Sequence, residues 1–110
     1  MKLSLLVLRC TDIEQSKEFY STIGMAFVRE QHGAGPEHYA FEKNGFVFEL
    51  YPGKPDNTRV GFNVDSLERT VDSLTTRGYE VRRTSKRALA KDPDGRTVEL
   101  TEIYIKPNCI

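Results

Sequence analysis

An excess of charge of either sign is missing from this chain: Lys+Arg and Asp+Glu each number 16 in 110 residues. Without a net field, nucleic acid and anionic membrane surfaces are not suggested as partners. Cysteine is scarce as well. Cys10 and Cys109 stand near opposite ends with no paired spacing, which excludes a zinc ribbon and a disulfide framework. A reducing compartment fits that usage, and the expected location is the cytoplasm. No apolar run approaches the roughly 20 residues that a membrane-spanning helix needs. The start, Leu3 to Leu8, imitates the apolar stretch of a secretory signal, but it stops at Arg9 and no small-residue cleavage site follows. It reads as a buried strand. Glycine-rich phosphate loops and nucleophile elbows are also absent. What is present, 38% apolar residues in 110, suffices for one compact domain.

The pattern inside that domain is one module written twice. After the Leu3–Leu8 strand, Asp12 with Gln15 has capping-box spacing, and Ile13, Phe19, Tyr20 and Ile23 form an apolar helical stripe ending at Gly24. Further on, Val60, Phe62 and Val64 alternate with Arg59, Gly61 and Asn63, as in a half-buried strand. Asp65 with Glu68 repeats the capping box, and Leu67, Val71 and Leu74 repeat the stripe, ending at Gly78. Ile13 corresponds to Leu67, Tyr20 to Leu74 and Gly24 to Gly78 at one constant offset.

Three strand-like stretches follow each helix: Met25–Gln31, Glu37–Glu42 and Phe46–Tyr51, then Tyr79–Thr84, Arg87–Lys91 and Thr97–Tyr104. Asn44-Gly45 is a two-residue hairpin signal and Asp92-Pro93-Asp94-Gly95 a second reversal. Residues 53–57 read as a linker between a module at 1–52 and another at 58–110. The fold class is therefore α+β, two βαβββ modules whose strands make a curved mixed sheet.

If Asn44-Gly45 closes a tight hairpin, Lys43 pairs with Phe46, Ala40 with Glu49 and His38 with Tyr51. One face then carries His38, Ala40, Glu42, Val47, Glu49 and Tyr51, and the other carries Tyr39, Phe41, Phe48 and Leu50 toward the helices. The same parity groups Thr97, Glu99, Thr101 and Ile103 opposite Val98 and Leu100. Glu49 and Glu99 are thus equivalent carboxylates in two related sheets, able to ligate a hard cation or to do acid–base work. Taken singly, each is a solvated residue of an exposed sheet face.

Three stretches carry a family resemblance: Asp12 to Tyr20 with Gly24, Phe48-Glu49-Leu50, and Asp92-Pro93-Asp94-Gly95-Arg96-Thr97-Val98-Glu99-Leu100. In order and spacing they resemble the vicinal-oxygen-chelate superfamily of glyoxalases, bleomycin-resistance proteins and extradiol dioxygenases. The resemblance implies a small-molecule cup between βαβββ modules, and a homodimer to complete it. It also implies a divalent metal, nickel, zinc, manganese or iron, held by one residue from the first strand and one from the last strand of each module. Those positions here are Leu5, Glu49, Arg59 and Glu99. Leu5 has no lone pair and Arg59 is a permanent cation, so Glu49 and Glu99 are the remaining metal and catalytic candidates.

Arg59 is expected to bridge to Glu99 or to Glu49 and to grip an anionic ligand, with His38, Tyr51 and Asn63 as further ligand-binding residues. His38 shares a face with Glu49 and can complete an altered metal site or act as a base. The ordinary alternative is a half-exposed histidine at a strand end. His32, beyond Gly33, Gly35 and Pro36, reads as an exposed loop residue without metal spacing to His38. Phe27, Tyr51 and Tyr104 are candidates for cup walls or plain core. The basic run Arg82 to Arg87 reads as a solvated edge that discourages strand pairing, and only secondarily as an anion-binding rim. The resemblance leaves two functions besides a regulatory or interaction module that keeps only the fold and needs neither glutamate. One is a metal-free protein that sequesters a small molecule. The other is a divalent-metal lyase or isomerase resembling lactoylglutathione lyase, in which case the chain is an enzyme.

Overall fold

The repeated capping signals produce a repeated architecture. A computed structural model describes residues 1–103. Tyr104 and Cys109 lie outside the described residues. The chain runs β1 (Leu5–Cys10), α1 (Ile13–Ile23), β2 (Val28–Glu30), β3 (His38–Lys43) and β4 (Phe46–Pro52). It continues with β5 (Val60–Val64), α2 (Leu67–Thr76), β6 (Val81–Arg83), β7 (Arg87–Lys91) and β8 (Thr97–Glu102). Two four-stranded sheets have the same plan, β1-β4-β3-β2 and β5-β8-β7-β6. In each, the first strand lies parallel to the last and the remaining pairs are antiparallel. This is an α+β fold of two βαβββ modules, and neither sheet closes into a barrel. Among the described residues no helix is long and apolar enough to cross a membrane.

Local chemistry accounts for the helix ends. The Asp12 carboxylate accepts from the backbone N–H groups of Glu14 and Gln15, two donors that the first turn cannot satisfy internally. Gly24 ends α1 at φ 127°, a conformation costly for any side chain, and its N–H returns to Ser21 and Tyr20 carbonyls. In α2 the cap differs from the expected one. Ser66, not Asp65, accepts from the Arg69 N–H, and the Glu102 carboxylate takes the Leu67 N–H at 2.9 Å.

The strands after each helix are shorter than their patterns. The Met25 N–H closes on the Tyr20 carbonyl and the Tyr79 N–H on the Leu74 carbonyl, so both segments finish the helix before entering a sheet. Only Val28–Glu30 and Val81–Arg83 then pair. The first strand is shifted to Leu5–Cys10, where its parallel register with β4 sets Leu5 opposite Val47 and Leu8 opposite Leu50. The hairpin register is the expected one, with Ala40 opposite Glu49 and Lys43 opposite Phe46, and Asn44 takes φ 54° in the turn.

The alternation of each strand sends one set of side chains inward. Leu8, Cys10, Phe48 and Leu50 from the first sheet and Val98, Leu100, Ala88 and Ala90 from the second are buried with Phe19, Tyr20, Leu67 and Leu74 of the helices. Phe48 and Phe62 meet at 5.7 Å between ring centroids, and Tyr20 lies against both, so the backs of the two modules share one core.

A polar clamp crosses that core. Asp92 is buried, and its carboxylate accepts from the Tyr20 hydroxyl at 2.6 Å, from the N–H groups of Asp94 and Arg96, and from the Arg96 guanidinium at 3.1 Å. Arg96, also buried, donates onward to the Arg9 carbonyl, and Asp94 accepts from the Thr11 N–H. The Asp-Pro-Asp-Gly reversal of the second module therefore grips the end of β1 and the first helix. Burial, and then the adjoining Asp92 carboxylate, raise the Tyr20 hydroxyl far above its ordinary pKa.

Candidate functional site

Two groups of polar side chains stand on the faces turned away from the core, one on each sheet. On the first sheet, Glu30 is opposite His38 in the β2–β3 ladder and Ala40 is opposite Glu49, so pairing puts Glu30, His38 and Glu49 on one face. Leu5, Val7 and Val28, all exposed, share that face.

His38 is the centre of this group and is 1% exposed. Its Nδ1 lies 3.2 Å from the Pro36 carbonyl, which can only accept, so Nδ1 carries the hydrogen. Nε2 is then aimed at carboxylates on two sides, 3.3 Å from Glu30 Oε1 and 3.6 Å from Glu49 Oε2. The ring stacks on Tyr51 at 4.1 Å between centroids and 10° between planes. The Tyr51 hydroxyl is held above its ordinary pKa, by desolvation first and then by the charges of Glu49 and Glu30.

His32 folds back from its loop to place Nε2 3.6 Å from Glu30 Oε1, with the two imidazole rings 5.0 Å apart. Ligand atoms of Glu30, His32 and His38 all lie within 4.8 Å of one another. His32 is exposed, as its sequence neighbours imply, yet it shares a cluster with His38 that their spacing along the chain did not suggest.

On the second sheet the charge balance reverses. Glu99 Oε1 receives Arg59 Nη2 at 3.1 Å and Arg87 Nη1 at 2.9 Å. Of the two partners the sequence left open for Arg59, the structure gives Glu99. Register puts Arg82 opposite Leu89, Leu89 opposite Glu99, and Lys91 opposite Thr97, so two more cations share this face. Asn63 is there too, its side-chain oxygen accepting from the Thr101 hydroxyl at 2.6 Å. Among the described residues Glu49 and Glu99 thus have no partner in common: the first stands among Glu30 and His38, the second between two arginines.

Two aromatic candidates separate. Tyr51 is on the open face against His38, whereas Phe27 packs on Tyr39, Phe41 and Phe48 as core, because its segment turns inward before β2 begins. Arg82 and Arg83 lie on β6, the outer strand of their sheet.

Sequence reasoning missed Glu30 and Arg87 as site residues. The parity argument applied to the hairpin would have found Glu30 once β2 was paired with β3.

A model of the Glyoxalase/Bleomycin resistance protein/Dioxygenase superfamily matches residues 2–100. The chain belongs to that superfamily. Among solved structures, the glyoxalase-fold chain is similar to an antibiotic binding protein from a Streptomyces species. That match has TM-score 0.74 and 21% identity, covering 94% of this chain and 97% of the other. It is also similar to the trypanothione-dependent glyoxalase I of Leishmania major, with TM-score 0.75 and 19% identity over 93% of this chain and 86% of that one. A possible glyoxalase from Bacillus cereus matches with TM-score 0.69 and 23% identity over 92% and 98% of the two chains. At these identities the likeness concerns the fold. No curated protein sequence matches the chain.

The metal that metal-dependent superfamily members hold does not fit the corresponding residues here. Leu5 is an exposed apolar side chain with no donor atom, and Arg59 spends its charge on Glu99, whose oxygen Arg87 also occupies. At Arg59 a guanidinium stands where a metal-binding member needs a lone pair, and its positive charge, with that of Arg87 beside it, opposes a dication.

Proposed function

We propose that this superfamily member is a cytoplasmic small-molecule-binding protein whose cup is completed by a second copy of the chain. The observation that carries the reading is the double arginine grip on Glu99, which gives the cup a cationic floor in place of a family metal centre. The ligand that suits it is planar or amphipathic with an anionic group, because guanidinium pairs carboxylate and sulfonate oxygens while Leu5, Val7 and Val28 supply apolar surface.

Charge complementarity supports the second copy. The open face of the first sheet presents Glu30, Glu42 and Glu49, and that of the second presents Arg59, Arg82, Arg87 and Lys91 around Glu99. A two-fold axis lays the acidic, apolar face of each chain over the basic face of the other, a closed and self-complementary arrangement. Covering Leu5, Val7 and Val28 also removes exposed apolar surface from water.

Anilinonaphthalene sulfonate, a planar amphipathic anion, tests the reading together with light scattering for mass. A dimer that binds the dye, and an Arg59→Ala variant that binds it at least about tenfold more weakly, are the expected results; a monomer without dye binding refutes the proposal. A second reading, a divalent-metal lyase or isomerase, has one observation in its favour, the convergence of Glu30, His32 and His38. Turnover of a thiol hemiacetal by metal-loaded protein, lost on chelation, is its test.

A further inference from the structure

We propose that Glu30, His32 and His38 form a divalent transition-metal site contained within the first module. This site is separate from the positions that the superfamily resemblance assigns to a metal, and it does not depend on the small-molecule reading.

Distances carry the argument. Donors about 2.0–2.2 Å from a tetrahedral zinc-type ion stand roughly 3.3–3.6 Å from one another, the edge of the coordination tetrahedron. His38 Nε2 to Glu30 Oε1 is 3.3 Å, His32 Nε2 to Glu30 Oε1 is 3.6 Å, and the ligand atoms of all three residues lie within 4.8 Å of one another.

Tautomer and burial point the same way. The Pro36 carbonyl can only accept, which puts a hydrogen on Nδ1 of His38 and leaves Nε2, facing two carboxylates, to carry either a proton or a metal ion. A backbone carbonyl on the other ring nitrogen is the usual support of a metal-bound imidazole. Stacking on Tyr51 and near-complete burial hold the ring in that orientation before any ion arrives. His32, on the exposed side, completes the set and leaves an approach from solvent.

Two imidazoles with carboxylate suit zinc, nickel, cobalt or ferrous iron rather than magnesium or calcium, which prefer all-oxygen shells. Glu30 in the set and Glu49 beside His38 supply the negative charge that offsets the dication.

The test titrates zinc, and then cobalt for its visible spectrum, into chain stripped with chelator and followed by calorimetry. One ion per chain is expected, with the intense cobalt bands of a four-coordinate site, and magnesium should not compete. His32→Ala removes an exposed side chain and leaves the fold intact; it and Glu30→Gln should each weaken zinc binding at least about 100-fold. Binding in Glu99→Gln should match the parent chain. Absence of stoichiometric zinc binding, unchanged affinity in His32→Ala, or loss of binding in Glu99→Gln would each overturn the proposal. The last result places the ion in the cup instead. Oligomeric state and dye binding are read separately, so failure here leaves the small-molecule reading standing and the reverse also holds.

Discussion

Replacing Asp92 with alanine tests whether the two modules are locked by the Asp-Pro-Asp-Gly turn. The carboxylate is buried and receives four donors: the Tyr20 hydroxyl, the Asp94 and Arg96 N–H groups and the Arg96 guanidinium. Its removal leaves the guanidinium, itself fully buried, with the Arg9 carbonyl and with the Asp94 and Asp56 carboxylates at 3.6 Å. Removing one partner of a buried ion pair costs about 3–5 kcal/mol, and the stranded Tyr20 hydroxyl adds to that within the same coupled network. We expect a loss of about 4 kcal/mol, a large part of the roughly 5–15 kcal/mol that holds an ordinary domain folded. In a domain of this size it corresponds to a fall in Tm of roughly 15–25 °C. Urea unfolding followed by circular dichroism measures it, and a double-mutant cycle with Tyr20→Phe should give a coupling of at least about 1 kcal/mol. A loss under about 1 kcal/mol for Asp92→Ala, or additive behaviour in the cycle, would refute the clamp.

Two further expectations concern pH and helix ends. Burial beside Asp92 raises the Tyr20 pKa, so the folded state holds that proton more tightly than the unfolded chain does. The associated stability is fully present below the ordinary value of about 10 and falls as pH rises above it. Urea midpoints between pH 8 and 11 should drop more steeply for the parent chain than for Tyr20→Phe, and equal slopes would contradict the assignment. Because Ser66 rather than Asp65 caps α2, Ser66→Ala should cost about 1 kcal/mol and Asp65→Ala less than half of that. The opposite ranking in thermal unfolding would return the cap to Asp65.

The parts of the fold legible beforehand were those written in near neighbours. Asn44-Gly45 set the register of the β3–β4 hairpin, because a two-residue turn permits only one pairing of the strands it joins, and Glu49 followed onto the open face. Asp12 and Gly24 marked the ends of α1 for equally local reasons. In α2 the capping-box spacing pointed to Asp65, and the structure caps the helix with Ser66 instead. The deciding partner, Glu102 on the Leu67 N–H, is remote in sequence. The extent of β2 and β6 was overestimated because an apolar stretch reads alike whether it pairs in a sheet or folds over a helix end.

The sequence by itself determined the superfamily, the duplication, and which alternate residues of each strand face outward, since these depend on periodicity and turn chemistry. Tertiary structure decided what those outward residues meet. His32 and His38 are separated by a glycine- and proline-bearing loop whose path no local rule predicts, and only that path brings both imidazoles to Glu30. Arg87 reached Glu99 through the antiparallel register of β7 with β8, and Arg59 by preceding the parallel strand β5, two connections made at different distances along the chain. Side-chain chemistry is a property of each residue, but a charge pair or a ligand set is a property of positions, and those are fixed only when the sheets are assembled.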